Sequence, residues 1–176
     1  ISSVSPDNET ITVGSEPITV ELEIQTSQGA NGNALCEFSF NGENFIDFFN
    51  TGTNVHKQRF SNLFAGNYNI SLMCTDVAGN IARGNSVFKI EVDRTGPIIT
   101  RVYQQPQGTL NVITNEPSQC AYSPSSCNFN FANGTLISGN GFAHTTSFGS
   151  GIYHVKCKDT YENTGTCMQV REGYNA

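Results

Sequence analysis

The sequence has no tryptophan, two methionines and few charges: Asp, Glu, Lys and Arg make up 14% of it, with nine basic against fifteen acidic residues and a net charge of -6. The nine cations are scattered, so no stripe exists to neutralise phosphates, and nucleic acid is excluded as a partner. No window approaches the run of about 20 apolar residues that a membrane-spanning helix needs. An apolar amino-terminal helix, on which pilin-type filaments assemble, is missing as well, so any filament of this chain must be built from β-structure. No Gly-x-Ser-x-Gly elbow, His-Glu-x-x-His pair, phosphate-binding loop or dinucleotide fingerprint occurs. The expectation is a protein that is not an enzyme, with no catalytic residue and no cofactor.

What is present is globular: 37% hydrophobic residues, 17 Gly and 12 Phe, with polarity carried mainly by Asn, Ser and Thr. Six cysteines accompany three glycosylation sequons, Asn8-Glu-Thr10, Asn69-Ile-Ser71 and Asn133-Gly-Thr135. Together they lean towards an oxidising, extracellular or cell-surface setting. The first residue is Ile, not Met, which reads as a mature chain after removal of a signal sequence.

A repeat organises the chain. Its first copy runs Cys36-Glu-Phe-Ser-Phe, His56, Ala65-Gly-Asn-Tyr68, Cys74-Thr-Asp76-Val-Ala-Gly79-Asn80. The second runs Cys120-Ala-Tyr-Ser, His144, Ser150-Gly-Ile-Tyr153, Cys157-Lys-Asp159-Thr-Tyr-Glu-Asn163. A strand pattern stops at Val92-Asp-Arg-Thr-Gly-Pro97, where a Gly-Pro pair cannot continue it. Domain one is therefore placed at 1–94 and domain two at 95–176. Within the copies, Ile18 to Ile24 and Tyr68 to Cys74 alternate apolar and polar residues, the mark of half-buried strands. Val87 to Val92, Leu110 to Ile113 and Ile152 to Cys157 supply further strands, and Asn31-Gly, Asn41-Gly, Asn133-Gly and Asn140-Gly mark tight turns. Many short strands without a helix predict an all-β protein of two tandem immunoglobulin-like β-sandwich domains with disulfides.

The cysteine in an alternating strand, the Gly-x-Tyr step, the second cysteine and the following Asp-x-x-Gly-Asn resemble the immunoglobulin-like repeats of prokaryotic, archaeal or bacterial, surface proteins. The match is best over Gly66 to Asn80 and at the Val92 to Pro97 join. In domain two Glu162 stands where the pattern has Gly, so a differently built loop is expected there. The resemblance implies an architecture and not an activity, and the missing tryptophan argues against an antibody-type role.

Six cysteines admit fifteen pairings. If Cys36 and Cys74 occupy the strand positions of Cys120 and Cys157, each domain carries one homologous bridge, Cys36–Cys74 and Cys120–Cys157, and Cys127–Cys167 remains as an extra bridge in domain two. His56 and His144 recur between the cysteines at unequal spacings, which speaks for packing near a sandwich edge over a shared metal geometry. Calcium at Asp76, Asp93 and Asp159 is the alternative to no metal, with turn formation by Asp and Asn set against it.

The leading functional expectation is a structural subunit of an extracellular, glycosylated filament or surface layer, with identical subunits as partners in a homopolymer. Residues 1–13, with Ile1, Val4, Ile11 and Val13, form a candidate donor strand for a neighbouring subunit, or else the first strand of their own domain. The short strand after Cys167 is the candidate acceptor edge. The alternatives are an adhesive module that uses Phe45, Phe48, Phe49, Phe129, Phe131 and Phe142 to contact glycans or other cell surfaces, and a non-catalytic accessory module of a secreted enzyme.

Overall fold

A computed structural model of the chain describes residues 1–29, 31–105 and 108–171. It divides into two compact units, Ile1–Asp93 and Arg94–Ala176, one residue from the division read at the Gly-Pro join.

Domain one contains β1 (Ser3–Ser5), β2 (Glu9–Val13), β3 (Ile18–Gln25), β4 (Ala34–Ser39), β5 (Ile46–Asp47), β6 (Val55–Leu63), β7 (Gly66–Asp76) and β8 (Ile81–Val92). One sheet has the order β1-β3-β6 and the other β2-β8-β7-β4-β5. This is the immunoglobulin-like arrangement: a first strand split between both sheets, its second half lying parallel to the last strand. The alternation of β3 does its work as read, burying Val20, Leu22 and Ile24 while Glu21 faces solvent. They meet Cys36 and Phe38 of β4, Ile70, Leu72 and Cys74 of β7, and Phe88 and Ile90 of β8 in a single core. Phe38 anchors it, edge-on to Phe48 at 5.7 Å and to Phe60 at 4.9 Å between ring centroids. Each such ring contributes roughly 1.5–3 kcal/mol through burial.

Domain two contains β9 (Ile99–Gln105), β10 (Thr109–Thr114), β11 (Gln119–Ser123), β12 (Thr135–Ile137), β13 (Ala143–Ser147), β14 (Ile152–Lys158) and β15 (Met168–Arg171). Its sheets are β13-β10-β9 and β12-β11-β14-β15. Strand for strand this is domain one without the split strand, and the only helical element among the described residues is a 3-10 turn at Phe131–Asn133. The core is smaller, built on Ile99, Leu110, Val112, Ile137, Phe148 and Val155 with Cys120 and Cys157. Gly96, in the Gly-Pro join, is needed for packing: a Cβ there would come within 2.2 Å of the Thr164 backbone, and one on Gly165 within 1.8 Å of Pro97 O.

The segment considered as a strand donor belongs to its own domain in this structure. Val4 of β1 pairs with Ile24, and Ile11 and Val13 of β2 pair with Ile90 and Val92. Ile1, Val4, Ile11 and Val13 all pack against the domain-one core. β2 carries four β-favouring residues, Thr10 to Val13, and lies against the open side of β8 in its own domain.

Candidate functional site

The cysteines join Cys36 to Cys74, Cys120 to Cys157 and Cys127 to Cys167. The first two do not cross between sheets as in an antibody domain; each ties directly opposed residues of neighbouring antiparallel strands, with Cα atoms 4.0 Å apart. So short a separation marks a pair that exchanges no backbone hydrogen bonds. In domain one the Cys36 N–H donates to Thr51 Oγ1 (2.8 Å) and its carbonyl accepts from Phe48 N (2.9 Å), both away from β7.

Next to each of these cystines lies a buried polar clasp. His56, on β6, places Nε2 2.9 Å from Thr26 Oγ1 and Nδ1 2.9 Å from Thr51 Oγ1. Thr26 donates its own proton to the Gly32 carbonyl, so it accepts from Nε2–H, and Thr51 donates to the bare Nδ1. His56 thus links its own sheet, through Thr51, to the cystine strand of the other. The ring is fully buried and burial pushes its pKa below the ordinary value. His144 repeats the arrangement on β13, where Nδ1 donates to Gly139 O at 3.1 Å and Nε2 lies 3.2 Å from Ser118 Oγ. The two histidines occupy equivalent register positions, opposite Ile24 and Val112. Sequence singled them out but placed them near an edge; they lie inside.

The Asp-x-x-x-Asn loops also match. Asp76 Oδ1 accepts from Ala78 N and Asn80 N at 2.9 and 2.8 Å, and Oδ2 accepts from Asn80 Nδ2 at 2.8 Å. Asp159 does the same with Tyr161 N, Asn163 N and Asn163 Nδ2 at 2.8, 2.9 and 2.9 Å. The expectation of a different loop in domain two is corrected. Glu162 takes the left-handed conformation of Gly79, with φ 68 against 84, and its carboxylate pairs with Lys158 Nζ at 2.6 Å. The Asn80 side chain holds the Asp76 carboxyl below its usual range. Of the three residues weighed as calcium ligands, Asp76 and Asp159 have their carboxylates engaged in turns, while the backbone of Asp93 donates its N–H to Val13 O at 2.8 Å.

A tyrosine braces each domain at the same point: Tyr68 OH donates to Phe64 O at 2.8 Å, and Tyr153 OH to Ser147 O at 3.3 Å. The sequon asparagines Asn8, Asn69 and Asn133 are all exposed. Asn8 and Asn69 flank Val87 on one sheet: Asn8 N donates to Val87 O, and Asn69 is the register partner of Val87. Asn69 accepts from Asn85 Nδ2 through its amide oxygen (2.7 Å). Of the loop phenylalanines, Phe48 is core, Phe129 and Phe131 lie under the Lys156 and Lys158 ammonium groups at 4.9 and 5.1 Å, and Phe49 and Phe142 are exposed. β15, the candidate acceptor, lies at the edge of its sheet among the described residues.

No protein-family model and no curated protein matches the sequence. Among solved structures the chain is similar to fibronectin(III)-like modules of Clostridium thermocellum CbhA, with TM-score 0.46 and 12% identity over 96% of this chain and 91% of that one. It is also similar to titin domains A168-A170, with TM-score 0.48 and 8% identity over 92% of this chain and 60% of that one. For the Ig1-2 module of the Drosophila receptor protein tyrosine phosphatase DLAR the values are 0.38 and 11%, over 96% and 97%.

Proposed function

We propose that the chain is a non-catalytic structural segment of an extracellular, glycosylated surface protein or filament of the prokaryotic type its repeat resembles, and that identical subunits are its partners. The observation that carries this reading is the duplication of purely structural devices. Each domain has a cystine across its two central strands, a buried histidine clasp beside it, a braced tyrosine and an Asp–Asn turn, and the histidine rings, tyrosine hydroxyls and aspartate carboxylates in them bond within the fold. Cystines persist in an oxidising compartment, and three exposed sequons suit the same setting. Association of subunits would use sheet edges such as β15; donation of β2 would require it to leave β8.

The experiment is negative-stain electron microscopy of the native protein taken from its source without refolding. Uniform filaments with an axial repeat near the length of two sandwiches support the subunit reading. Dispersed particles at high concentration sink it. A second reading, an adhesive module, is favoured by one specific observation: Phe49 is 87% exposed although its neighbour Phe48 is buried.

A further inference from the structure

We propose that the β1-β3-β6 sheet of domain one binds a carboxylate-bearing sugar, a hexuronate unit within a glycan, with the pyranose ring on Phe49 and its carboxylate on Arg59. Phe49 is not the tip of a loose loop. Its N–H donates to Gln58 Oε1 at 2.8 Å, and the next residue, Asn50, exchanges both backbone hydrogen bonds with Lys57 of β6, at 3.1 and 2.9 Å. Gln58 is fixed in turn by donation from Nε2 to Arg59 O at 3.0 Å. The preceding ring, Phe48, is held in the core against Phe38. A large apolar ring presented to water from a hydrogen-bonded backbone is a ready contact surface.

The ring borders a surface cavity of about 320 Å³ whose other walls are Glu21, Asn50, Lys57, Gln58 and Arg59. One apolar face surrounded by polar side chains suits a pyranose, which has a C–H face and a rim of hydroxyls. Charge selects among sugars. Lys57 is committed to Glu21 at 3.4 Å and Glu23 at 3.0 Å, whereas the Arg59 guanidinium has no partner among the described residues. The cation left over at the cavity is the one whose planar fork suits a carboxylate. The sequons of this domain lie elsewhere: Asn69 and the neighbour of Asn8, Glu9, belong to strands of the opposite sheet, so attached glycans leave this sheet open.

The test is titration of the full chain, followed by amide shifts in NMR, with oligogalacturonate, a neutral cello-oligosaccharide of equal length and poly-glutamate. Oligogalacturonate is expected to shift residues 49–50 and 57–59, more weakly as salt rises. Phe49→Ala should weaken it by about tenfold or more, and Arg59→Gln should remove the preference over the neutral sugar. Phe142→Ala, an exposed ring in domain two, should change nothing. Absence of binding by oligogalacturonate, binding that survives Phe49→Ala, equal binding of the neutral sugar by the unaltered chain, or tighter binding of poly-glutamate would each overturn the proposal. Unchanged melting of the Phe49 and Arg59 variants excludes misfolding as the cause. The result is independent of whether filaments form, so the failure of either reading can be told from the failure of the other.

Discussion

His56 sets how the protein responds to mild acid. Its folded pKa lies below the ordinary value of 6.5, so the unfolded chain takes up a proton first. The stability it confers is complete above that value and is lost as pH falls through the folded pKa, at up to about 1.4 kcal/mol per pH unit. Urea unfolding of the full chain should show stability falling as pH is lowered below about 6.5, and His56→Gln should lower the plateau while removing its share of the slope. A second loss follows at lower pH: the Asp76 pKa is depressed from 3.8, so its contribution is present above that value and disappears as the carboxylate protonates. The paired turns give a sharper comparison. Gly79→Ala should cost about 1 kcal/mol, because an L side chain is forced into the left-handed region. Glu162 already bears that cost, so Glu162→Ala should change stability by about 0.5 kcal/mol or less, the worth of an exposed ion pair. Paired thermal melts decide between equal and unequal effects.

At the level of strands, the central cystines should matter most. Cys36–Cys74 closes a separation of 38 residues and Cys120–Cys157 one of 37, so replacing either pair with Ala should cost about 4 kcal/mol in the chain-entropy model. Denaturant titration of oxidised wild type against each double variant measures it, and a loss under about 1 kcal/mol would contradict the model. Domain two, with the smaller core, carries Cys127–Cys167 as well, in keeping with the reliance of small cores on covalent staples. Much at this level was legible in advance. Alternation gave β3 and the inner face of β7, and the repeat equated the two cystines. It could not tell that each cystine runs along one sheet, because parity shows only that Cys36 and Cys74 face inward, whereas their adjacency depends on how distant strands are connected. Phe48 and Phe49 must point apart in an extended segment, but nothing local says which one enters the core. The Glu162 loop was misjudged because a favourable Asp–Asn hydrogen-bond set outweighed the conformational preference of one residue.

For the whole molecule, each unit has its own pair of sheets, its own core and its own cystine. Residues 1–93 and 94–176 produced separately under oxidising conditions should each unfold cooperatively, and calorimetry of the separate units measures it. If either remains unfolded while the full chain folds, independence is refuted. The in-sheet cystines have a further consequence under load. A chain pulled from its ends can lengthen only through residues outside its covalent loops, and Cys36–Cys74 withholds a 38-residue span, about 130 Å of extended chain. When domain one yields to force it should therefore act as a short, stiff tether, paying out far less length than its residue count allows until a reductant cuts the bond and releases the rest.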